Sequence, residues 1–173
     1  MRPGFREQVE KNIGCAVILA GSDSDFFHLE KIVSSLTVYE IPFDARICSA
    51  HKQTEKLLEI LEEYDALKGP FVYIDVAGKT DALSGTTSYR SRNPTLSCPP
   101  DHPNTSCITN PSASANAYIG DPKNVGKFIA QMYSRLNDTY YANLLNENRK
   151  KENTLVSADQ TLYPRLLRGI EGL

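Results

Sequence analysis

Three short polar runs hold the residues best suited to chemistry in this chain of 173 residues. The first is GSDSD, Gly21 to Asp25, which joins an apolar run to an amphipathic one. Backbone N–H groups at a helix start, with the hydroxyls of Ser22 and Ser24, form a cradle for phosphate, helped by the positive end of the helix dipole. Asp23 and Asp25 complete the set of candidate ligand-binding residues in this run, but a carboxylate repels phosphate. Asp25 is therefore expected to face sugar hydroxyls or a base amine, or to cap the helix. The second run is SAHK, Ser49, Ala50, His51 and Lys52. No apolar periodicity demands a histidine there, imidazole is the side chain that moves protons near neutral pH, and a lysine offers charge to a phosphate. The third is AGKTDALSG, Ala77 to Gly85. Gly78 and Gly85 let the backbone approach a ligand, Leu83 can anchor a short helix, and Lys79, Asp81, Ala82 and Ser84 supply the polar and small side chains between them. Its plainer reading is a tight turn into a poorly formed helix.

The elements that must position these runs alternate in type. CAVILAG, Cys15 to Gly21, is apolar on both faces, as a strand between two helix layers must be. From Asp25 to about Leu36, the residues Phe26, Phe27, Leu29, Ile32, Val33 and Leu36 fall on a broad helical stripe. Pro42 breaks the pattern, and Phe43 to Ala50 reads as a second strand. A helix is expected over Gln53 to Lys68, with Leu57, Leu58, Leu61 and Tyr64 on one face and Gly69-Pro70 as its stop. Phe71 to Gly78 is a third strand rich in β-formers. Three repeats of strand, turn and helix predict an open parallel sheet, whose ligands bind outside the carboxyl ends of its strands, where the three polar runs fall.

Thr86 to Ser114 reads as a long loop of Ser, Thr, Asn and Pro with one short strand at Thr95 to Cys98, a length that marks either function or a misread element. AYIG, ending at Gly120, is a last strand, and Pro122 to Leu136 a helix with proline in its first turn. LLNENRKKEN is a charged helical end, and Ser157 to Leu173 a further helix start interrupted by Pro164. Its Leu162, Leu166, Leu167 and Ile170 make an apolar side suited to a neighbouring subunit. The organisation expected is an N-terminal extension over 1–14, one α/β domain over 15–136 and a C-terminal helical extension over 137–173.

Composition excludes several classes. Hydrophobic residues make up 40% and charged residues 23%, ordinary for a globular domain. A formal net charge of -2 gives no electrostatic support for a nucleic-acid partner. No apolar run approaches the ~20 residues that span a bilayer, and the polar start MRPGFREQVEKNIG is not a secretory signal, so a cytoplasmic protein with no membrane partner is expected. Cys15, Cys48, Cys98 and Cys107 lack CxxC spacing and read as buried small apolar residues rather than disulfides or zinc ligands.

Taken in order, GSDSD, SAHK, AGKTDALSG and SCPP (Ser97 to Pro100) resemble the aminoimidazole ribonucleotide carboxylase family, over roughly Cys15 to Tyr133. The likeness is closer to the branch that uses carbon dioxide directly: the mutase branch has a second histidine in the turn where this chain has Asp81, and SAHK and SCPP point the same way. The resemblance implies a flavodoxin-like three-layer domain with a central parallel sheet, assembled as a homo-octamer with sites at subunit junctions. It implies no metal and no organic cofactor. The partners implied are a ribonucleotide and CO2, with reversible carboxylation of 5-aminoimidazole ribonucleotide at C4. By position, Ser22, Asp25 and Lys52 would hold the ribose phosphate end, Ser49 and Ala50 would line the site, and His51 would carry the C4 proton.

Two stretches depart from the family. Where the carbon-dioxide branch reads AGRSN, this chain has Lys79 without the guanidinium fork and Asp81 in place of a neutral amide. An acid beside a carboxylated product should disfavour binding, unless Lys79 pairs with it or it stays protonated. Where the family has a loop like SSLRxPSG, Ser106 to Ala113 keeps Pro111 and Ser112 but has Thr109 for arginine. Three readings stay open: a carboxylase with local compensation, a member acting mainly as a decarboxylase or on a related ribonucleotide, and an inactive ribonucleotide-binding homologue.

Overall fold

The computed structural model describes residues 1–171, with side chains described as far as Arg168. Five parallel strands, β1 (Cys15–Ala20), β2 (Phe43–Ile47), β3 (Phe71–Val76), β4 (Thr95–Ser97) and β5 (Ala117–Tyr118), lie in the order β2-β1-β3-β4-β5. Six helices cover the sheet: α1 (Phe5–Glu10), α2 (Phe26–Val38), α3 (Thr54–Asp65), α4 (Ala82–Arg90), α5 (Val125–Tyr133) and α6 (Asp138–Glu171). This is the flavodoxin-like α/β fold, the three-layer sandwich that the alternation of strands and helices predicts.

β1 and β3 are buried at every position because both of their faces carry helices. Ala16, Ile18, Val72, Ile74 and Val76 meet Ile32, Leu36, Val125, Ile129, Tyr133 and Tyr140 on one side. Cys15, Val17, Leu19, Phe71 and Tyr73 meet Phe5, Val9, Leu57, Ile60, Leu61, Tyr64 and Leu83 on the other. Each fully buried Leu or Ile contributes about 1.5–3 kcal/mol relative to exposure. The four cysteines are free and buried. Burial pushes the thiols of Cys15 and Cys98 up to about 12, which leaves them poor nucleophiles. No described helix is long and apolar enough to cross a membrane.

The structure revises three sequence expectations and adds one element. The stripe of α2 that meets the sheet begins at Leu29; Phe26 and Phe27, at the helix start, are 59% and 77% exposed. The stretch expected as loop from Thr86 opens inside α4, whose buried face is Leu83, Ser84 and Thr87. Two of those three residues are polar, so hydrophobic periodicity could not reveal it. The first fourteen residues contain α1, anchored by Phe5 and Val9, two apolar residues too few to make a periodic signal. Finally, α6 runs without interruption through Pro164. Proline removes one i→i−4 bond, but the freed carbonyl belongs to exposed Gln160, where water takes its place. Thirty-four helical residues span about 51 Å. The helix is tied to the sheet at its base, where the Tyr140 hydroxyl donates to Gly14 O at 2.7 Å. From Asn148 to Arg168 every side chain is exposed, including Leu162, Leu166 and Leu167; the expected contribution of Ile170 lies outside the described side chains.

Candidate active site

The strand order reverses direction between β1 and β3, and a crevice opens there beyond the carboxyl ends of the strands. The turn after β1, the turn after neighbouring β2 and the turn after β3 line one cavity of about 290 Å³. It brings together Ser22, Ser24, Asp25, Ser49, Ala50, His51, Lys52, Gly78, Lys79, Ala82 and Leu83, eleven residues singled out in the sequence. Gly21, Ala77 and Thr80 also line it; they sit inside the same runs, and their types carry no chemical signal of their own.

The first turn is self-contained. Gly21 N–H donates to Val76 O at 2.8 Å, tying the end of β1 to β3. Ser22 Oγ accepts from Ser24 N–H at 3.2 Å and lies 2.8 Å from Ser24 Oγ, capping a 3-10 turn at Asp23–Asp25 that leads into α2. Asp25 receives Ser24 Oγ at 3.3 Å, so its carboxylate is turned toward its own turn. The second turn is equally local: Ser49 O accepts from Lys52 N–H at 3.2 Å and from Gln53 N–H at 2.8 Å. This leaves His51 and Lys52 exposed on the rim, and the His51 imidazole makes no hydrogen bond among the described residues. An imidazole that is unpaired and faces a cleft is free to take a proton from a bound ligand.

The third turn is built differently. Lys79 sits at φ 60, a left-handed conformation that costs a residue with a Cβ about 1–2 kcal/mol. A distant loop holds it there. Lys79 N–H donates to Asp101 Oδ2 at 2.7 Å, and Lys79 O accepts from Asn104 Nδ2 at 2.9 Å. Asn104 Nδ2 also donates to Asp101 Oδ1 at 2.8 Å. The Ser106 hydroxyl accepts from Asp81 N–H at 2.9 Å and lies 2.9 Å from Lys79 O and 2.7 Å from Asn104 Oδ1, with one proton to give to either. Burial works to raise the Asp101 carboxyl, but the Lys79 N–H and the Asn104 amide outweigh it and hold it below the ordinary range. Asp101, Asn104 and Ser106 thus position the wall of the cleft without lining it; no periodicity or motif marks Asp101 and Asn104, and Ser106 stands out in the sequence only as the start of the Ser106 to Ala113 stretch.

Four sequence candidates lie elsewhere. Asp23 is exposed on the outer side of its turn. Ser84 is fully buried inside α4, and Gly85 faces Asn110 in a neighbouring hollow. Asp81 is 5% exposed, and its Oδ1 accepts from Ser84 N–H at 3.0 Å as the N-cap of α4. The repulsion expected between Asp81 and a carboxylated ligand is therefore not set up, because the carboxylate is engaged in the helix start. Asn110, Pro111 and Ser112 of the Ser106 to Ala113 stretch, a loop that could close over a ligand, line that neighbouring hollow with Ser114, Gly85 and Tyr89, not the cleft of their own chain.

Behind the first turn, His28 Nε2 lies 3.0 Å from Cys98 O and 3.5 Å from Cys98 Sγ, so it donates to the carbonyl. Burial pushes the His28 imidazole down, and it ties the start of α2 to the SCPP segment as a neutral donor.

Comparison with known proteins bears on the family and the fold. The family model described as AIR carboxylase matches residues 15–154. Phosphoribosylaminoimidazole carboxylase of Treponema denticola is 38% identical over 68% of this chain and 78% of its own length. The enzyme of the same name from Archaeoglobus fulgidus is 31% identical over 85% and 84%. The human bifunctional phosphoribosylaminoimidazole carboxylase/phosphoribosylaminoimidazole succinocarboxamide synthetase is 32% identical over 74% of this chain and 32% of its own length. The crystal structure of Treponema denticola PurE superimposes with a TM-score of 0.81 at 32% identity, covering 86% of this chain and 98% of that one. A matching profile over most of the length, relatives above 30% identity and a shared fold lead to one conclusion: the chain belongs to the AIR carboxylase family.

Proposed function

We propose that this protein carboxylates 5-aminoimidazole ribonucleotide with CO2 at C4, reversibly, giving 4-carboxy-5-aminoimidazole ribonucleotide for purine synthesis. The observation that carries the reading is the convergence of three polar turns around an unpaired His51 in a chain of this family. The ring is electron-rich and forms the new C–C bond through C4, which then carries both a hydrogen and the carboxylate. His51 takes that proton, and the electron pair of the C4–H bond restores aromaticity. In reverse, protonated His51 returns the proton to C4 and CO2 leaves. The phosphate lies at the start of α2, on the first-turn N–H groups, Ser22 and Ser24, with Lys52 and Lys79 supplying charge against Asp25.

Direct use of CO2 is supported by the cleft itself: His51 is the one histidine among its described lining residues, and Asp81 is turned away as a helix cap. A second reading, a member working mainly as a decarboxylase or on a related ribonucleotide, is favoured by Thr109, which leaves the lid without a cation. Purified protein given the ribonucleotide and bicarbonate, and separately the carboxylated product, distinguishes the two. Faster forward turnover supports the carboxylase, faster CO2 release the decarboxylase, and no change in either sinks both.

The protein works in the cytoplasm as a homo-oligomer, an octamer in this reading, with the segment 137–173 packed on a neighbouring subunit. The exposed Phe26 and Phe27, the uncovered apolar residues of α6 and a lid that leaves its own cleft open all support this. Light scattering that returned a monomer would overturn it.

A further inference from the structure

Asp75 lies on β3, the central strand, and is 1% exposed on the face covered by α4. Neither of its carboxyl oxygens has a hydrogen-bond partner, and the same is true of Asp81 Oδ2, Thr87 Oγ1 and Thr95 Oγ1. These groups belong to adjoining elements. Asp75 is in register with Ser97, and Thr95 lies two residues back on the same face of β4. Thr87 is on the buried side of α4, and Asp81 caps that helix. The other titratable groups facing the pair are Tyr73 on β3 and, on the Asp81 side, Asp101 and Cys107 of the following loop. Among the described residues, no lysine, arginine or histidine bonds to either carboxyl.

Two unpaired carboxylates in so dry a place are not tolerated, since burying even one ion without a partner exceeds the loss of several hydrogen bonds. One added proton resolves the arrangement. The Asp81 carboxylate already serves a helix N-terminus through Oδ1, which favours its charge. We propose that Asp75 is held as the neutral acid, donates its proton to Asp81 Oδ2, and through this bridge fixes the start of α4 and the Lys79–Asp81 wall of the cleft. The Thr87 hydroxyl can then donate to the remaining Asp75 oxygen, so that four of the five unpartnered atoms are satisfied by one proton taken up and one rotated. Both burial and the neighbouring Asp81 charge raise the Asp75 carboxyl, in agreement. Asp75 is a positioning residue, acting through Asp81.

The pairing does not depend on which reaction the cleft performs; only the KM arm of its test rests on the proposed function. The experiment compares wild type, Asp75→Asn and Asp75→Val by carboxyl 13C NMR, by unfolding against pH, and by turnover. Expected is one carboxyl resonance that keeps its neutral-acid position at pH 7 and is missing in Asp75→Asn. Because the folded state retains a proton that the unfolded chain gives up above ~4, wild-type stability should fall as pH rises from there, and Asp75→Asn should remove that slope. The amide still donates to Asp81, so KM should stay within about twofold in Asp75→Asn and rise roughly tenfold in Asp75→Val, which lacks the donor. The proposal is overturned if no neutral carboxyl is seen at pH 7, if both variants lose stability equally, or if wild type carries a metal ion that Asp75→Asn loses. An intact neutral resonance with no turnover in any variant would leave the bridge standing and remove the functional reading instead.

Discussion

Ser22 holds its turn with a bond to a residue two positions away, and Ser49 with bonds to residues three and four positions away. Lys79 is held by Asp101, Asn104 and Ser106, which follow it by 22, 25 and 27 positions. The cleft therefore has two walls that fold with their own segment and one that exists only when a later loop has docked. The first two can present a phosphate cradle and a proton carrier at low entropic cost. The third can be adjusted from outside the site, and the chain departs from the family pattern there.

Substitutions can test that division. The largest effect is expected from His51→Asn, which keeps the turn but removes the proton carrier: turnover should fall about 100-fold or more while ribonucleotide binding persists. Full activity in this variant would end the proton-transfer assignment. Next, Asp101→Ala removes a charge-assisted bond to the backbone of a residue in a left-handed conformation, about 1.5–3 kcal/mol. KM should rise at least tenfold with a smaller change in kcat, and calorimetry on the ligand complex would show the loss in affinity directly. If Asp101→Ala bound normally, the distant clamp would be decoration and the two kinds of wall would not differ. Ser22→Ala should cost less, about 1 kcal/mol of local cap, with a few-fold rise in KM.

The smallest effect is in pH. Asp101 is held below its ordinary range, so its support of Lys79 is complete above about pH 4 and is lost only as pH falls through the lowered folded-state value. Amide exchange at Lys79 should therefore quicken only in strong acid, while exchange in the first two turns, which rest on the Ser22 hydroxyl and the Ser49 carbonyl, changes little by comparison. Loosening of Lys79 near neutral pH would contradict the part given to the Asp101 charge.

Much of this was legible in the sequence because it depends on neighbours along the chain. CAVILA and FVYIDV announce buried strands by their composition, and GSDSD and SAHK announce polar turns at strand ends, where an α/β sheet places its ligands. What escaped depends on neighbours in space. α4 buries Ser84 and Thr87 against β3, so its inner face reads as polar. Pro164 reads as a break, yet exposure of the carbonyl it frees lets α6 continue.

Asp81 shows the limit most directly. From the sequence it is an acid in a binding turn and a threat to an anionic ligand; in the fold it is buried, caps a helix through Oδ1 and leaves Oδ2 unpartnered. The amino-acid pattern by itself determined the layering of the sheet, the position of the three turns and the presence of His51 among them, because hydrophobic periodicity and turn chemistry act over a few residues. Only the tertiary structure decided which way each carboxylate points and what holds Lys79, because burial and long-range hydrogen bonds set the energy of a charge far more than its neighbours in sequence do.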